Sequence, residues 1–515
     1  MKKVLDWLKA NEANQVRDLA SLVAIPSIST DGDHAKEIDQ SAALTCEQMR
    51  QAGLQNVEIL RTGDSYPYAY GEWLGAPGKP TVFLYSHHDV QPVNFASDWE
   101  SDPWTLTERD GRLFGRGSAD DKGAIPAQLH AVAAFLKTEG SLPVNVKVLC
   151  EGEEEVGSRN LDTFFKTHKD RLLSDVIVVC DTENIEVGLP SITYSLRGIV
   201  SVVIEVETAT KPVHSGAAGG QLADAALALN VILARLYWKN GKLPIPGYYD
   251  KVSKLTVSER RTIKKLPGDD AAFRANLGVL PGVEFACQKK VHPYEQTWRL
   301  PAVTIIAQEA SSIKGASNQV LPKATAIVSS RIVPDQDPDE VLRQLTDFLS
   351  KDPPWGAKVT VKTHSIGKWW MTDPEGPAFD AAMKAMKAGY GKKAVGIGCG
   401  GSIGFVGPLA ELFGGAPALL LGIEDPKTNA HAPNESLHAD DFRKLTASLA
   451  HLFENLGKLP DGRVKKSEQP ATAAPTPVSE PAATENHEDA TTEQPAPATS
   501  AEEPVLQSGA PQTAP

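Results

Sequence analysis

The sequence predicts an α/β protein: a mostly parallel sheet flanked by helices, interrupted by an inserted α+β domain. Three observations predict it. Four short runs, TVFLYS (81–86), VNVKVLC (144–150), DVIVVC (175–180) and PALLLGI (417–423), are apolar on both faces, as strands covered by helices on either side must be. Helical stretches alternate with these runs. Between about 196 and 369 the texture changes to alternating strand patterns and long helices, after which the earlier pattern resumes.

Taken in order, Val16, Leu19, Leu22 and Val23 recur at helical spacing until Pro26 stops them, and a second helical stretch follows over 38–49. Another covers 125–136. Within the insertion, IVSVVIEVETA, ATAIVSSRIVP and KVTVKTH read as strands, a long helix falls around 222–238, and a proline-rich stretch lies near 244–246. EGPAFDAAMKAMKAGYG is helix-forming, and with PALLLGI it returns the chain to the sheet. The expected boundaries are therefore 1–195 and 370–464 for the two parts of the sheet domain and 196–369 for the insertion. Residues 465–515 form a tail rich in Pro, Ala, Thr and Glu, with no aromatic residue and almost no large apolar side chain, and such a segment is expected to be disordered.

A chain of 515 residues exceeds the size at which a single core stops growing, so at least two domains are expected. No apolar run approaches the roughly 18–20 residues of a membrane span. The N-terminal MKKVLDWLKANEANQ has the lysines of a signal peptide, but Asp6, Lys9 and Glu12 break its apolar stretch, so a cytoplasmic protein is expected. Cys46, Cys150, Cys180, Cys287 and Cys399 are odd in number, widely spaced and without a CxxC pair; they read as buried free thiols in a reducing compartment. The formal charge is −13, but beyond Lys466 the tail holds eight acids and no Lys or Arg, leaving −5 for the rest. A nearly balanced, slightly acidic body argues against nucleic-acid binding.

Ligands of open parallel sheets bind outside the carboxyl ends of the strands. TVFLYS runs into His87, His88 and Asp89; VNVKVLC into Glu151, Glu153, Glu154 and Glu155; DVIVVC ends at Asp181; PALLLGI leads through Glu424 and Asp425 to His431. Asp120 lies in GRGSADDKG, just before a helix starting near Gly123. One acid at a strand end means little, since polar residues commonly end strands. Several converging on one edge would raise one another's pKa strongly unless cations relieved the repulsion. Mixed imidazole and carboxylate donors suit zinc, with manganese or cobalt as alternatives.

SHHDVQPV, DPWTLTERDGRLFGRGSADDKG, EGEEEVGS, the Asp181 strand, VHSGAAGG, SSRIVPDQDP, CGGSI and NAHAPNE, in that order, together resemble the dinuclear zinc dipeptidases and deacylases. That group includes carnosinase, the cytosolic nonspecific dipeptidases, acetylornithine deacetylase and carboxypeptidase G. The resemblance runs from about residue 15 to 460 and implies a zinc-exopeptidase-like fold with two divalent metal ions per subunit. It implies that His87 and Asp181 hold one ion, Glu155 and His431 the other, and that Asp120 bridges them. Glu154 falls where the family has its general base, and Asp89 where a carboxylate orients the His87 ring. His214 falls where a histidine reaches into the neighbouring subunit's site, which implies a homodimer and makes the insertion a lid and dimerisation domain. Arg331 and Ser402 match positions that grip the substrate's carboxylate. One departure is Cys399, where relatives often have Glu. His88, Glu151, Glu153 and Asp121 have no family role and are expected to be solvated or structural; His130 is expected to be packed or solvated.

The resemblance implies hydrolysis of the peptide bond of dipeptides or other small peptides, with N-acyl amino acid deacylation as the alternative. The size of the insertion favours the carnosinase-like branch. Two other classes fit less well. A metal-free binding protein would not need the intact ligand set, and a two-metal phosphoesterase would need basic residues where these loops are mainly acidic.

Overall fold

In the computed structural model, which describes residues 1–287 and 290–459, the four apolar runs are the strands Thr81–His87, Asn145–Glu151, Val176–Glu183 and Ala418–Glu424. They lie parallel in the order 145–151, 81–87, 176–183, 418–424. Successive side chains of a strand point to opposite faces, and here both sets are buried. Val82 and Leu84 enter one core with helices Ala124–Glu139, Pro377–Tyr390 and Ala439–Gly457. Phe83 and Tyr85 enter a second core with Phe164, Phe165, Val406 and Leu409. Apart from Lys147, whose Nζ donates to Leu173 O at 2.8 Å, polar side chains of these strands lie at or near their ends.

Mainly antiparallel pairings complete the sheet at its margins, with Val395–Cys399 lying parallel to Ser191–Leu196. Gln55–Leu60 and Tyr68–Trp73 extend it on one side; Ser191–Leu196, flanked by Trp370–Met371 and Val395–Cys399, extends it to nine strands on the other. The expected N-terminal helices are Glu12–Val23 and Ala35–Ala52. The Asp181 strand runs two residues past Asp181, to Glu183.

Segment 196–369 carries its own four-stranded antiparallel sheet, in the order Ala302–Glu309, Lys323–Ile332, Gly198–Glu207, Lys358–Gly367. One face of it (Val200, Val202, Ile204, Val206, Ala324, Val328) packs on helices Ala225–Ala234 and Pro338–Ser350. The first of these helices is shorter than the 222–238 pattern suggests. Asp224 caps it by accepting from the Leu227 N–H at 2.9 Å, and Leu236 joins the same core from beyond the helix end. The short helices Val257–Ile263, Asp270–Asn276 and Pro293–Arg299 were not legible as separate elements.

No described helix is long and apolar enough to cross a membrane. All five cysteines are free; Cys46, Cys150 and Cys180 are buried, but Cys287 and Cys399 are only partly so, against the expectation for the full set. The expected tail, 465–515, and the last residues of the 370–464 segment lie outside the described residues.

Leu84 is fully buried in the strand that ends at His87. Leu84→Ala is expected to cost about 2–5 kcal/mol of stability, measured as a shift in the urea midpoint. A midpoint unchanged from the parent would contradict the burial of this side chain between strand and helices.

Candidate metal centre

The carboxyl ends of the central strands bring two groups of donors together: His87 with Asp120 and Asp181, and Asp120 with Glu155 and His431, each within 4.8 Å of one another. Asp120 belongs to both. Its Oδ1 lies 3.1 Å from His87 Nε2 and its Oδ2 lies 2.9 Å from His431 Nε2. Asp181 Oδ1 is 3.9 Å from His87 Nε2, and Glu155 Oε2 is 3.2 Å from His431 Nε2. Donors around a tetrahedral zinc, at bonds of about 2.0–2.2 Å, sit about 3.3 Å apart. Spacing and donor chemistry therefore fit one divalent cation in each group. The first group is largely buried, and the second opens to solvent through His431.

Asp89, fully buried, supports both groups. Its backbone oxygen lies 3.1 Å and its carboxylate 3.5 Å from His87 Nδ1, so the Nε2 side of the ring is left for a ligand. Its carboxylate also accepts from the backbone N–H groups of Glu154 and Glu155, at 3.2 and 3.0 Å, and from Ser29 Oγ at 2.6 Å. One residue thus orients the His87 ring and anchors the turn that carries Glu154 and Glu155. Gln91, four residues past His87, donates to Glu155 Oε2 at 2.8 Å.

The loop carrying Asp120 is tied to the loop carrying His431 by Glu435, which is fully buried. Its Oε1 accepts from the Ala119 and Asp120 N–H groups at 3.0 and 3.2 Å; its Oε2 accepts from Gly117 N–H at 2.9 Å and Arg116 Nη1 at 2.7 Å. Sequence reading passes over Glu435, although it lies in the NAHAPNE motif. The signal was an acid inside a motif that also supplies His431. Its partner, Arg116, lies more than 300 residues away.

The electrostatics are those of a cation site. Burial, with Glu155, Asp120 and Asp89 adding to it and His87 opposing, pushes the Glu154 carboxyl up to about 8. Burial and the neighbouring Asp121 and Asp120 hold Asp181 well above the usual carboxylate range. Glu424 is raised in the same way by burial, Asp120 and Glu183. Hydrogen bonding to Asp120 and Glu155 pushes His431 up to about 11, and at His87 the Asp120 and Asp89 carboxylates outweigh burial. Asp120 itself is buried, yet His431 and His87 pull it below its ordinary value. Divalent cations would displace the protons that otherwise hold this crowd of charges together.

The remaining expected residues fall in three places. Arg331 Nη1 donates to Ser402 Oγ at 2.7 Å, joining the insertion to the glycine loop that follows Val395–Cys399. His214 is exposed, on a short strand paired with Gln319–Val320, and its ring accepts from Gly216 N–H at 3.0 Å; its hydrogen bonding does not reach the two donor groups of its own chain. His88, Glu151, Glu153 and Asp121 are buried and none is solvated. His88 Nε2 faces Pro67 O at 3.0 Å, Tyr85 donates to Glu151 at 2.5 Å, Tyr68 donates to Glu153 at 2.6 Å, and the His87 N–H donates to Asp121 at 3.3 Å. His130 packs near Trp7, its Nε2 at 2.7 Å from Asp18.

Paired imidazole and carboxylate groups sharing one acid, at the carboxyl edge of a parallel sheet, define the class of metal-assisted hydrolases. Residues 83–455 match the family described as Peptidase family M20/M25/M40, and the chain belongs to that family. It is 31% identical over 453 residues to the cysteinylglycine-S-conjugate dipeptidase of Corynebacterium striatum, covering 88% of this chain and 97% of the relative. Among solved structures it is similar to human carnosine dipeptidase 1, at TM-score 0.80 and 28% identity over 89% of this chain and 99% of that one. It is also similar to the di-peptidase Dug1p of Saccharomyces cerevisiae, at TM-score 0.81 and 26% identity over 89% and 99%. The family and fold class read from the motifs are those found.

A histidine held near pH 11 by acids must give up its proton to bind a cation. Zinc titrated into chelator-stripped protein at pH 7 is therefore expected to release at least about one proton per chain. The measurement is the dependence of the calorimetric heat on the buffer's ionisation enthalpy. A heat independent of buffer would contradict a protonated His431 in the metal-free protein.

Proposed function

We propose that this chain is a dipeptidase using two divalent metal ions, zinc first among them, to hydrolyse dipeptides or short peptides that carry a free carboxyl terminus. The observation that carries the reading is Asp120, with one imidazole on each carboxylate oxygen and Glu154 in the adjoining turn. The dipeptidase activities named for the similar proteins favour this reading over N-acyl amino acid deacylation.

His87, Asp120 and Asp181 would hold one ion and Asp120, Glu155 and His431 the other. When bound, such ions supply Lewis-acid polarisation of the scissile carbonyl and a water of lowered pKa. Glu154 takes the proton of the attacking water and passes it to the leaving amine. Asp89 keeps both the His87 ring and the Glu154 turn in place for that transfer. Arg331 and Ser402 hold the substrate's terminal carboxylate, which a guanidinium can meet with two parallel hydrogen bonds.

Segment 196–369 serves as a lid and dimerisation domain, and the active unit is a homodimer. His214 then completes the site of the other subunit by donating to the oxyanion formed at the scissile carbonyl. Apolar side chains left open on this segment support the assignment: Ile305 and Ile306, 42% and 56% exposed on the edge strand, and Leu227 and Val231, 52% and 41% exposed on the neighbouring helix. The free cysteines fit a reducing compartment, in keeping with a cytoplasmic enzyme.

Chelator-stripped protein reloaded with zinc or manganese is expected to cleave dipeptides in preference to N-acetyl and N-succinyl amino acids. Preferential cleavage of the acylated substrates overturns the dipeptidase reading. Glu154→Gln should keep the metal content of the parent and lose about 100-fold to 10,000-fold in kcat. Loss of metal in step with activity would instead make Glu154 a ligand. Mixing His214→Ala subunits with Glu154→Gln subunits should partly restore turnover, because a mixed dimer has one intact site; no recovery would count against a shared site.

A further inference from the structure

Two guanidinium groups converge where the glycine loop 400–402 meets the insertion, and only Arg331 has a place in the proposed reaction. The other, Arg197, sits at the crossing between Ser191–Leu196 and Gly198–Glu207, where the chain leaves the large sheet for the insertion. It clasps the loop twice. Its backbone N–H donates to Cys399 O at 3.3 Å, and its side-chain Nε donates to Gly400 O at 2.9 Å. Nη1 reaches Leu300 O at 3.4 Å, just past the helix Pro293–Arg299. Two residues on from Gly400, Ser402 accepts from Arg331.

The fit around this clasp is tight. A Cβ built on Gly400 would come 3.0 Å from Arg197 Nη2 and 3.3 Å from Thr297 O, so a side chain there must push the guanidinium or the loop aside. Among the described residues neither arginine has a carboxylate partner. Burial and the charge of Arg331 push Arg197 down to about 10, and burial lowers Arg331. The neighbouring Cys399 thiol, pushed up to about 12 by burial, is neutral and offers no compensating charge. A guanidinium spent on backbone carbonyls instead of an acid acts through its fixed fork, which spans two carbonyls in a way a single ammonium cannot match.

We propose that Arg197 is a positioning residue for carboxylate recognition, holding the Gly400–Ser402 loop so that Ser402 and Arg331 meet the substrate's terminal carboxylate together. The inference rests on the reading of Arg331 and Ser402 as the carboxylate clamp. Its consequence is selective. Loosening the loop weakens binding of substrates with a free carboxylate more than it slows the chemistry, and affects C-terminally amidated substrates least.

The test compares kcat and KM for a dipeptide and its C-terminal amide, using the zinc-loaded full chain and the variants Arg331→Gln, Arg197→Gln, Arg197→Lys and Gly400→Ala. Arg331→Gln is expected to reduce the preference for the free acid by about 10-fold to 100-fold, the size of losing a hydrogen bond to a charged group. Arg197→Gln should reduce it by about 10-fold, chiefly through KM, with Arg197→Lys intermediate. Gly400→Ala should act in the same direction with every clamp side chain intact, and together with Arg197→Lys it decides the matter if Arg197→Gln does not fold. Preference within twofold of the parent in the Arg197 and Gly400 variants, while Arg331→Gln abolishes it, overturns the positioning role. Preference unchanged in Arg331→Gln itself overturns the clamp reading, and the inference with it.

Discussion

One carboxylate, Asp120, has an imidazole nitrogen on each of its oxygens, and the rest of the centre is arranged around keeping it there. A buried carboxylate is costly unless charge and hydrogen bonds compensate it. His87 and His431 supply the charge, while Glu435 fixes the backbone on which Asp120 stands by accepting its N–H and that of Ala119. Arg116 in turn compensates Glu435, so Asp120, its backbone support and the counter-charge form one continuous network of buried groups.

The parallel sheet explains why these groups meet at all. Its central strands are packed on both faces, so they carry polar ligands only at or just beyond their ends. Adjacent strands lie about 4.8 Å apart. In spatial order the four strands deliver Glu155, His87, Asp181 and His431, and the loop before the helix Ala124–Glu139 brings Asp120 up between them. Asp89 couples the first two by orienting the His87 ring and anchoring the Glu155 turn. Segment 196–369 meets the glycine loop through the hydrogen bond from Arg331 to Ser402.

Much of this was legible in the sequence because it is written locally. Runs apolar on both faces identify buried parallel strands, and the acids and histidines stand directly after them. What depends on distant partners was not legible. Glu435 answers to Arg116 and to backbone groups of another loop, and Arg197 to carbonyls about 100 and 200 residues further on. The margin strand Gln55–Leu60 lacks the doubly apolar pattern and has no fully buried residue, while Tyr68–Trp73 is buried on both faces but has its apolar run broken by Gly71 and Glu72. The apolar stretch around 222–238 reads as one helix because its core-facing residues continue past the point where the backbone turns away.

The central claim is that two cations share Asp120. Anomalous diffraction at the zinc edge from crystals of the zinc-loaded protein tests it most directly. Two peaks per chain are expected, one bounded by His87, Asp120 and Asp181 and the other by Asp120, Glu155 and His431. No peak at either group, or a single peak to which Asp120 is not a ligand, would contradict it.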